Sequence, residues 1–164
     1  MKALTLVQPY ASLIAIGVKR IETRSWSTLY RGPLAIHAAA LTPVGDQSLA
    51  DWHWPQGAVV ATCRLVDVVP ITGSAHGSPN ANVRVSDFRH DGPRPHQQGG
   101  LWVVGWTEWQ GGQPTRVEDQ RPFGDFTPGR FAFLLADVEP LDPPVPAKGK
   151  HRLWEWADYP GGER

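Results

Sequence analysis

Residues 17–26 read GVKRIETRSW and carry a clear indication of the local fold. From position 21 the side chains alternate strictly, with Ile, Thr and Ser at the odd positions and Glu22, Arg24 and Trp26 at the even ones. A period of two is typical of a β-strand with one buried face. The stretch therefore predicts a strand over residues 21–26 that carries a carboxylate, a guanidinium group and an indole ring on one face.

The residues before this strand predict another strand and a short helix. Lys2–Val7 is mainly apolar and predicts the first strand. Pro9 suits the first turn of a helix, because its missing N–H would have no partner there. Ala11–Ile16 therefore predicts a short apolar helix, and Gly17 supplies its C-terminal stop.

Further apolar and alternating runs predict the rest of the sheet. They are Leu34–Ala39, Gly57–Ile71, Leu101–Trp109, Arg130–Val138 and the short Lys148–Trp156. Thr42–Trp52 has spacing compatible with a second helix, and Pro140–Pro146 predicts an extended segment. Residues 72–100 are polar, rich in Gly, Pro and His, and without a period, which predicts a flexible, irregular insertion within a single domain over residues 1–164. Five or six strands with two short helices predict an α+β fold built on a small β-barrel.

Composition limits the classes of protein that this chain can be. The 164 residues are 41% hydrophobic, with 16 Lys and Arg against 16 Asp and Glu, which suits one globular domain without a polycationic tail. The single cysteine, Cys63, excludes an internal disulfide and a cysteine-based zinc cluster and favours a cytoplasmic setting. No apolar run approaches the roughly 18–20 residues of a membrane span, and the first residues lack a secretory cleavage signal.

Charge is distributed unevenly along the chain. Residues 1–45 hold five Lys and Arg side chains against one Glu. This excess fits a basic face for an anionic partner, or chance among few charges. Within it, Glu22 and Arg24 share a predicted strand face close to Lys19. From spacing alone they form either an exposed ion pair worth roughly 0–1 kcal/mol or a polar cluster that grips phosphate or a base edge.

The first forty residues resemble the ASCH family, which is built around a G-x-K-x-x-E-x-R motif and belongs to the PUA-like superfamily. The motif occupies residues 17–24 of this chain. The other matching segments follow in order and spacing: Gln8-Pro9-Tyr10-Ala11, Ser25-Trp26, Tyr30-Arg31-Gly32-Pro33-Leu34 and Ile36-His37-Ala38. The resemblance implies a PUA-like β-barrel flanked by helices. It also implies binding of RNA or another single-stranded nucleic acid, or of a nucleotide with a modified or unstacked base.

The resemblance also implies roles for particular residues. Lys19 and Arg24 would contact phosphate or a carbonyl edge, Glu22 would orient Arg24 or accept from an exocyclic amine, and Trp26 or Tyr10 would provide a stacking face. Gln8, Arg31 and His37 complete the expected ligand-binding set. The position of His37 at the end of a predicted strand is also typical of a satisfied core histidine.

Two other function classes stay open. The first is a metal-independent hydrolase acting on RNA or on an acylated nucleobase, with Lys19 stabilising negative charge and Glu22 as general base. In the amidohydrolase branch of the family a reactive Thr stands where this chain has Glu22, and Thr23 lies on the opposite strand face. The second is an adaptor that docks a protein through Trp-rich surfaces. No metal is expected, because the histidines other than His37 show no ligand spacing with carboxylates or Cys63. No cofactor is expected either, and the sequence has no Walker loop and no G-x-G-x-x-G motif.

Overall fold

The computed structural model describes residues 1–40, 54–73 and 120–157, together with the backbone of four short strands between residues 83 and 116. The strands are β1 (Lys2–Leu6), β2 (Ile21–Arg24), β3 (Gly32–Ala38), β4 (Ala58–Gly73), β5 (Val83–Val85), β6 (Gln97–Gln98), β7 (Leu101–Val104), β8 (Thr115–Arg116), β9 (Phe131–Pro146) and β10 (Leu153–Glu155). The helix α1 is Tyr10–Ala15, and Arg121–Phe123 forms one 3₁₀ turn. The described chain is thus mostly sheet with little helix, as the sequence predicts.

Strand pairing follows the order β10-β1-β3-β4-β9-β2, and β5 pairs with the end of β4. A separate three-stranded sheet has the order β6-β7-β8. Within the described residues the six-strand order is open, with β10 at one edge and β2 at the other. The mostly-sheet architecture is confirmed, whereas its closure into a barrel stays a prediction.

The chain divides into two compact units, and β4 and β9 each supply residues to both. The first unit comprises Met1–Lys19, Gly32–Arg64 and Asp137–Arg164. In it β1 runs parallel to β3 and antiparallel to β10. Its apolar cluster consists of Ala3, Ala35, Val59, Trp154 and Trp156. Burial of Ala11 and Ile14 fixes one face of α1 to this unit, because an apolar stripe must be covered in a helix this short.

The second unit comprises Arg20–Arg31 and Leu65–Ala136. In it β2 pairs antiparallel with β9, so that Ile21 faces Leu134 and Glu22 faces Phe133 across the pair. Ile21, on the odd-numbered face of β2, packs into a cluster with Val69, Ile71, Phe126, Ala132 and Leu134. The two faces of β2 therefore differ as the alternation predicts.

Three sequence expectations differ from the structure. The strand predicted to end at Trp26 ends at Arg24, so the indole lies just beyond β2. Pro140–Pro146, predicted as a separate extended segment, is the second half of the sixteen-residue strand β9. Proline has no N–H to donate to a neighbouring strand, so it fits in a strand at positions where no such hydrogen bond is needed. Residues 72–100, predicted as an irregular insertion, hold the short strands β5 and β6. The second predicted helix and the rest of this insertion lie outside the described residues.

Candidate nucleic-acid interface

The turn that begins the motif depends on Gly17. Its φ of 77° lies in the left-handed region, where glycine has no steric penalty. The Gly17 N–H donates to Ile14 O at 2.8 Å and the Lys19 N–H donates to Leu13 O at 2.9 Å. The N–H groups of Gly17 and Lys19 are therefore hydrogen-bonded to carbonyl groups of α1 where the chain leaves the helix.

The Lys19 side chain is buried rather than displayed on the surface. Lys19 as a whole has no exposed area, and its Nζ lies 5.4 Å from the centroid of the Tyr10 ring. At this distance the ring quadrupole attracts the ammonium group. Tyr10, predicted as a stacking face for a base, thus presents its ring to the cation of the motif.

The structure brings Glu22 and Arg24 together on β2. Arg24 Nε lies 2.9 Å from Glu22 Oε1, and Glu22 is only 8% exposed. The interpretation as an exposed surface ion pair is therefore wrong, because the carboxylate has left the solvent. Burial of an ion pair removes hydration from both charges and makes their mutual geometry more important.

Trp26 lies on the same side as this pair. Its ring meets Phe133 edge-on, with the centroids 5.1 Å apart and the planes at 80°, a favourable aromatic geometry. Phe133 is the cross-strand partner of Glu22, and partners across a strand pair point to the same face. The half-buried Trp26 ring thus packs against Phe133 beside the acidic residue of the motif.

Thr23 points to the opposite side of the strand from Glu22 and Arg24, as its odd-numbered position predicts. It is buried, and its Oγ1 accepts a hydrogen bond from the Asp125 N–H at 3.0 Å. A Cβ added at Gly124 would lie 3.0 Å from the same oxygen, so the loop packs closely over the hydroxyl. The amidohydrolase chemistry would need a hydroxyl on the face of Glu22, and Thr23 does not provide one there.

Gln120 is a residue that the sequence interpretation missed. It is 4% exposed, and its Oε1 accepts hydrogen bonds from the N–H groups of Arg20 at 2.7 Å and Ile21 at 3.2 Å. Nearby, Arg130 donates to Thr23 O at 3.4 Å. These hydrogen bonds satisfy backbone groups on the open edge of β2. Gln120 lies in a polar, aperiodic stretch, so no sequence signal distinguishes it from its neighbours.

Arg31, expected to bind ligand, is engaged within the second unit. Its Nε and Nη2 both donate to Asp67 Oδ1, Nη2 also reaches Val68 O, and Nη1 donates to Thr28 O and Tyr30 O. A guanidinium group has five N–H donors, and these hydrogen bonds use all five. Arg31 therefore holds the turn before β3 against β4.

Gln8, also expected to bind ligand, connects α1 to Pro55. Its Nε2 donates to Ser12 Oγ at 2.9 Å and to Pro55 O at 2.6 Å, and its Oε1 accepts from the Ser12 N–H at 3.1 Å. The Ser12 N–H belongs to the first turn of the helix and has no intrahelical partner of its own. The buried amide of Gln8 thus acts as a cap for α1.

His37 occupies the core of the first unit. It is 1% exposed, its Nε2 lies 3.0 Å from Ala147 O, and the Trp154 ring meets it edge-on. A proton on Nε2 satisfies Ala147 O and leaves Nδ1 as an unprotonated acceptor. Nδ1 has no hydrogen-bond partner among the described residues. Burial lowers the pKa of His37, and the hydrogen bond to Ala147 O offsets part of that effect, which is typical of a neutral core histidine.

The lowered pKa of His37 predicts a loss of stability in mild acid. The unfolded chain takes up the proton near the ordinary pKa of about 6.5, whereas the folded protein resists it until a lower pH. The stabilisation is therefore complete above about pH 6.5 and declines as the pH falls, by at most about 1.4 kcal/mol per pH unit. Urea unfolding of the wild type and of His37→Gln between about pH 7 and 5 checks this. A pH dependence that is equal in both proteins would contradict it.

Metal-ligand clusters and membrane-spanning helices are both absent from the part of the chain that the structure describes. Within residues 1–40, 54–73 and 120–157, no group of three or more His, Cys, Asp or Glu side chains is placed to hold a metal ion. In the same part of the chain, no helix has the length and apolar character needed to cross a bilayer. Burial raises the pKa of the Cys63 thiol to about 12, with a smaller contribution from Asp137.

Comparison with known proteins supports the resemblance. Residues 4–83 match the ASCH domain family. This ASCH segment includes the last three residues of β1 and all of α1, β2, β3 and β4, and therefore the whole G-x-K-x-x-E-x-R motif. Gln120 and the chain from β9 onward lie beyond it.

Two individual proteins are similar to parts of the chain. Forty residues are 52% identical to Activating signal cointegrator 1 of Homo sapiens, which covers 24% of this chain and only 7% of that protein. The crystal structure of a ZmASCH mutant protein from Zymomonas mobilis is similar over 88% of this chain and 73% of that one, at 17% identity and a TM-score of 0.42.

Proposed function

We propose that this protein binds RNA, or a nucleotide with an unstacked or modified base, through the motif at residues 17–24. The observation that carries the proposal is the burial of two charged side chains of that motif: Lys19 has no exposed area and Glu22 is 8% exposed. Lys and Glu are almost never fully buried unless they are engaged, and removing such ions from water costs several kcal/mol each. A ligand site is a reason to retain charges at that cost.

The chemical types on each unit suit the parts of a nucleotide. On the second unit, the Glu22 carboxylate orients Arg24 for a phosphate or a carbonyl edge and can accept from an exocyclic amine. The Trp26 ring beside them suits stacking on an unpaired base. On the first unit, Lys19 supplies a cation held by Tyr10. Binding therefore combines an electrostatic contribution with a contribution from base stacking.

From the resemblance to the ASCH family we also propose how the sheet closes and where in the cell the protein acts. The open strand order would close into a small PUA-like barrel within a single domain. The setting would be cytoplasmic, in keeping with one buried cysteine and no possibility of an internal disulfide.

The test is a salt titration with short single-stranded RNA. Fluorescence anisotropy of a labelled oligonucleotide at several salt concentrations gives the slope of log K against log salt, about −0.7 for each neutralised phosphate. We expect Lys19→Met and Arg24→Gln each to weaken binding, and Arg24→Gln, whose guanidinium group is partly exposed, to make the slope shallower by somewhat under one. Trp26→Ala should cost about 1–3 kcal/mol of binding free energy if a base stacks there.

Arg64→Gln is the control, because Arg64 forms an exposed ion pair with Asp137 outside the motif. It should bind RNA like the wild type. Circular dichroism and thermal unfolding of each variant separate lost binding from lost folding. Binding that is independent of salt, or that Lys19→Met and Arg24→Gln leave unchanged, would contradict the proposal.

A further inference from the structure

A second basic surface lies outside the motif, in the loop that joins β9 to β10. Residues 148–152 read KGKHR, and the four side chains are all exposed. This basic loop, as we name residues 148–152, contains no acidic residue and no exposed large apolar side chain. Three of its side chains are Lys or Arg, and His151 lies between two of them.

The chain on both sides of the basic loop is held by the first unit. Immediately before it, the Ala147 N–H donates to Gly57 O at 2.9 Å and Ala147 O accepts from His37 Nε2 at 3.0 Å. Immediately after it, Leu153 pairs with Leu4 in the sheet. Because both ends are anchored by backbone hydrogen bonds, the loop loses little conformational entropy when it binds a partner.

The middle of the basic loop is anchored as well. Gly149 packs so closely on His37 that an added Cβ would lie 2.5 Å from the imidazole Cε1. Beside it, Lys150 Nζ lies 6.0 Å from the centroid of the Trp154 ring, the outer limit for a cation–π interaction. The loop therefore has a half-buried, closely packed centre at Gly149 with exposed lysines on either side of it.

The nearest carboxylate in the sequence does not neutralise the basic loop. Glu155 follows three residues after Arg152, and its Oε1 lies 2.5 Å from the Nζ of Lys2. Lys2 and Glu155 are cross-strand partners in the β1–β10 pair, so the carboxylate is already matched by a cation. Glu155 therefore leaves the positive charge of Lys148 and Lys150 in place.

We propose that the basic loop is a second binding surface for RNA, one that binds the phosphate backbone without reading base identity. Lysine is a flexible point charge that suits phosphate oxygens and gives little base discrimination. An interfacial membrane site would need an apolar face to insert, and a protein-docking site would need an aromatic or apolar anchor. The basic loop has neither. This proposal concerns the same class of ligand as the proposed function, but it involves none of the residues of that site.

The test compares charge removal with charge-preserving exchange in the full chain. The double variant Lys148→Gln/Lys150→Gln removes two cations, and Lys148→Arg/Lys150→Arg keeps them. Labelled oligouridine and oligoadenine of about twelve nucleotides serve as probes, titrated between about 50 and about 200 mM salt. We expect the glutamine variant to make the slope shallower by about 0.7 for each phosphate that is no longer neutralised, equally for both probes. The arginine variant should keep the wild-type slope.

The outcomes distinguish this inference from the proposed function. An unchanged slope in the glutamine variant, with binding still weakened by Lys19→Met, would overturn the inference and leave the proposed function standing. A shallower slope in the glutamine variant, with no effect of Lys19→Met, would support the inference and contradict the proposed function. If the glutamine variant loses binding only to phosphatidylserine vesicles, or if the wild type binds neither oligonucleotide, the inference is wrong.

Discussion

Gly149→Ala is expected to lower the free energy of unfolding by about 1–3 kcal/mol, the usual cost of overpacking a tight interior. The new Cβ would lie 2.5 Å from Cε1 and 2.7 Å from Nδ1 of His37, and 3.0 Å from Thr5 Oγ1. The imidazole ring of His37 is held in place and cannot easily rotate away from the added methyl group. Its Nε2 is bonded to Ala147 O, and Trp154 packs against its ring. Thermal and urea unfolding measure the effect, with about 2–4 °C of melting temperature per kcal/mol at this chain length.

A double-mutant cycle with His37→Ala tests the cause. His37→Ala removes the ring that the methyl group meets, so Gly149→Ala should cost much less in that background than in the wild type. Coupling energies of about 0.5–3 kcal/mol are typical of residues that touch directly. Additive effects of the two substitutions would show that the glycine is needed for some reason other than the imidazole.

Gln8→Met is expected to destabilise the protein by about 2–4 kcal/mol, because each buried group left without a partner costs about 1–3 kcal/mol. Methionine matches the length of the side chain and removes its three hydrogen bonds. The Ser12 N–H loses its acceptor, and Ser12 Oγ and Pro55 O lose their donor. Urea unfolding measures the loss of stability. RNA affinity is measured at urea concentrations below the unfolding transition, where the variant is still folded.

Ser12→Ala is the matched control for Gln8→Met. It removes the hydroxyl partner but keeps the Ser12 backbone N–H and Pro55 O, so we expect a loss of about 1 kcal/mol. The double variant should be less destabilised than the sum of the two singles, because the hydrogen bond to the hydroxyl is counted twice in that sum. A Gln8→Met protein with wild-type stability and weakened RNA binding would show instead that Gln8 binds the ligand directly.

Local pattern predicts some of the candidate site correctly. The alternation over β2 places Glu22 and Arg24 on one face and Thr23 on the other, and the pairing with β9 shows that division. The order of G-x-K-x-x-E-x-R together with its flanking segments is long enough to indicate the ASCH family over residues 4–83. Both predictions depend on residues that are close in sequence, where side-chain periodicity and the conformation of glycine determine the result.

Other parts of the site could not be predicted, because their partners lie far along the chain. Arg31 is next to a turn in the sequence, and nothing there indicates that Asp67 and Val68 will accept its hydrogen bonds. Gln120 reaches the N–H of Ile21 across 99 residues of sequence. No periodicity marks a side chain whose function is to satisfy the edge of a distant strand.

Residues close together in the sequence are enough to predict most of the described strands, the end of α1 and the side chains that share a face of β2, because these depend on the 2.0 and 3.6 residue periods and on local backbone sterics. The partners of the polar side chains depend instead on the tertiary structure. Packing removed Lys19 from solvent and placed Gly149 against the imidazole of His37. Burial and hydrogen bonding are properties of the assembled neighbours, and many of these come from distant parts of the chain, so the sequence alone does not show which side chains have partners within the protein.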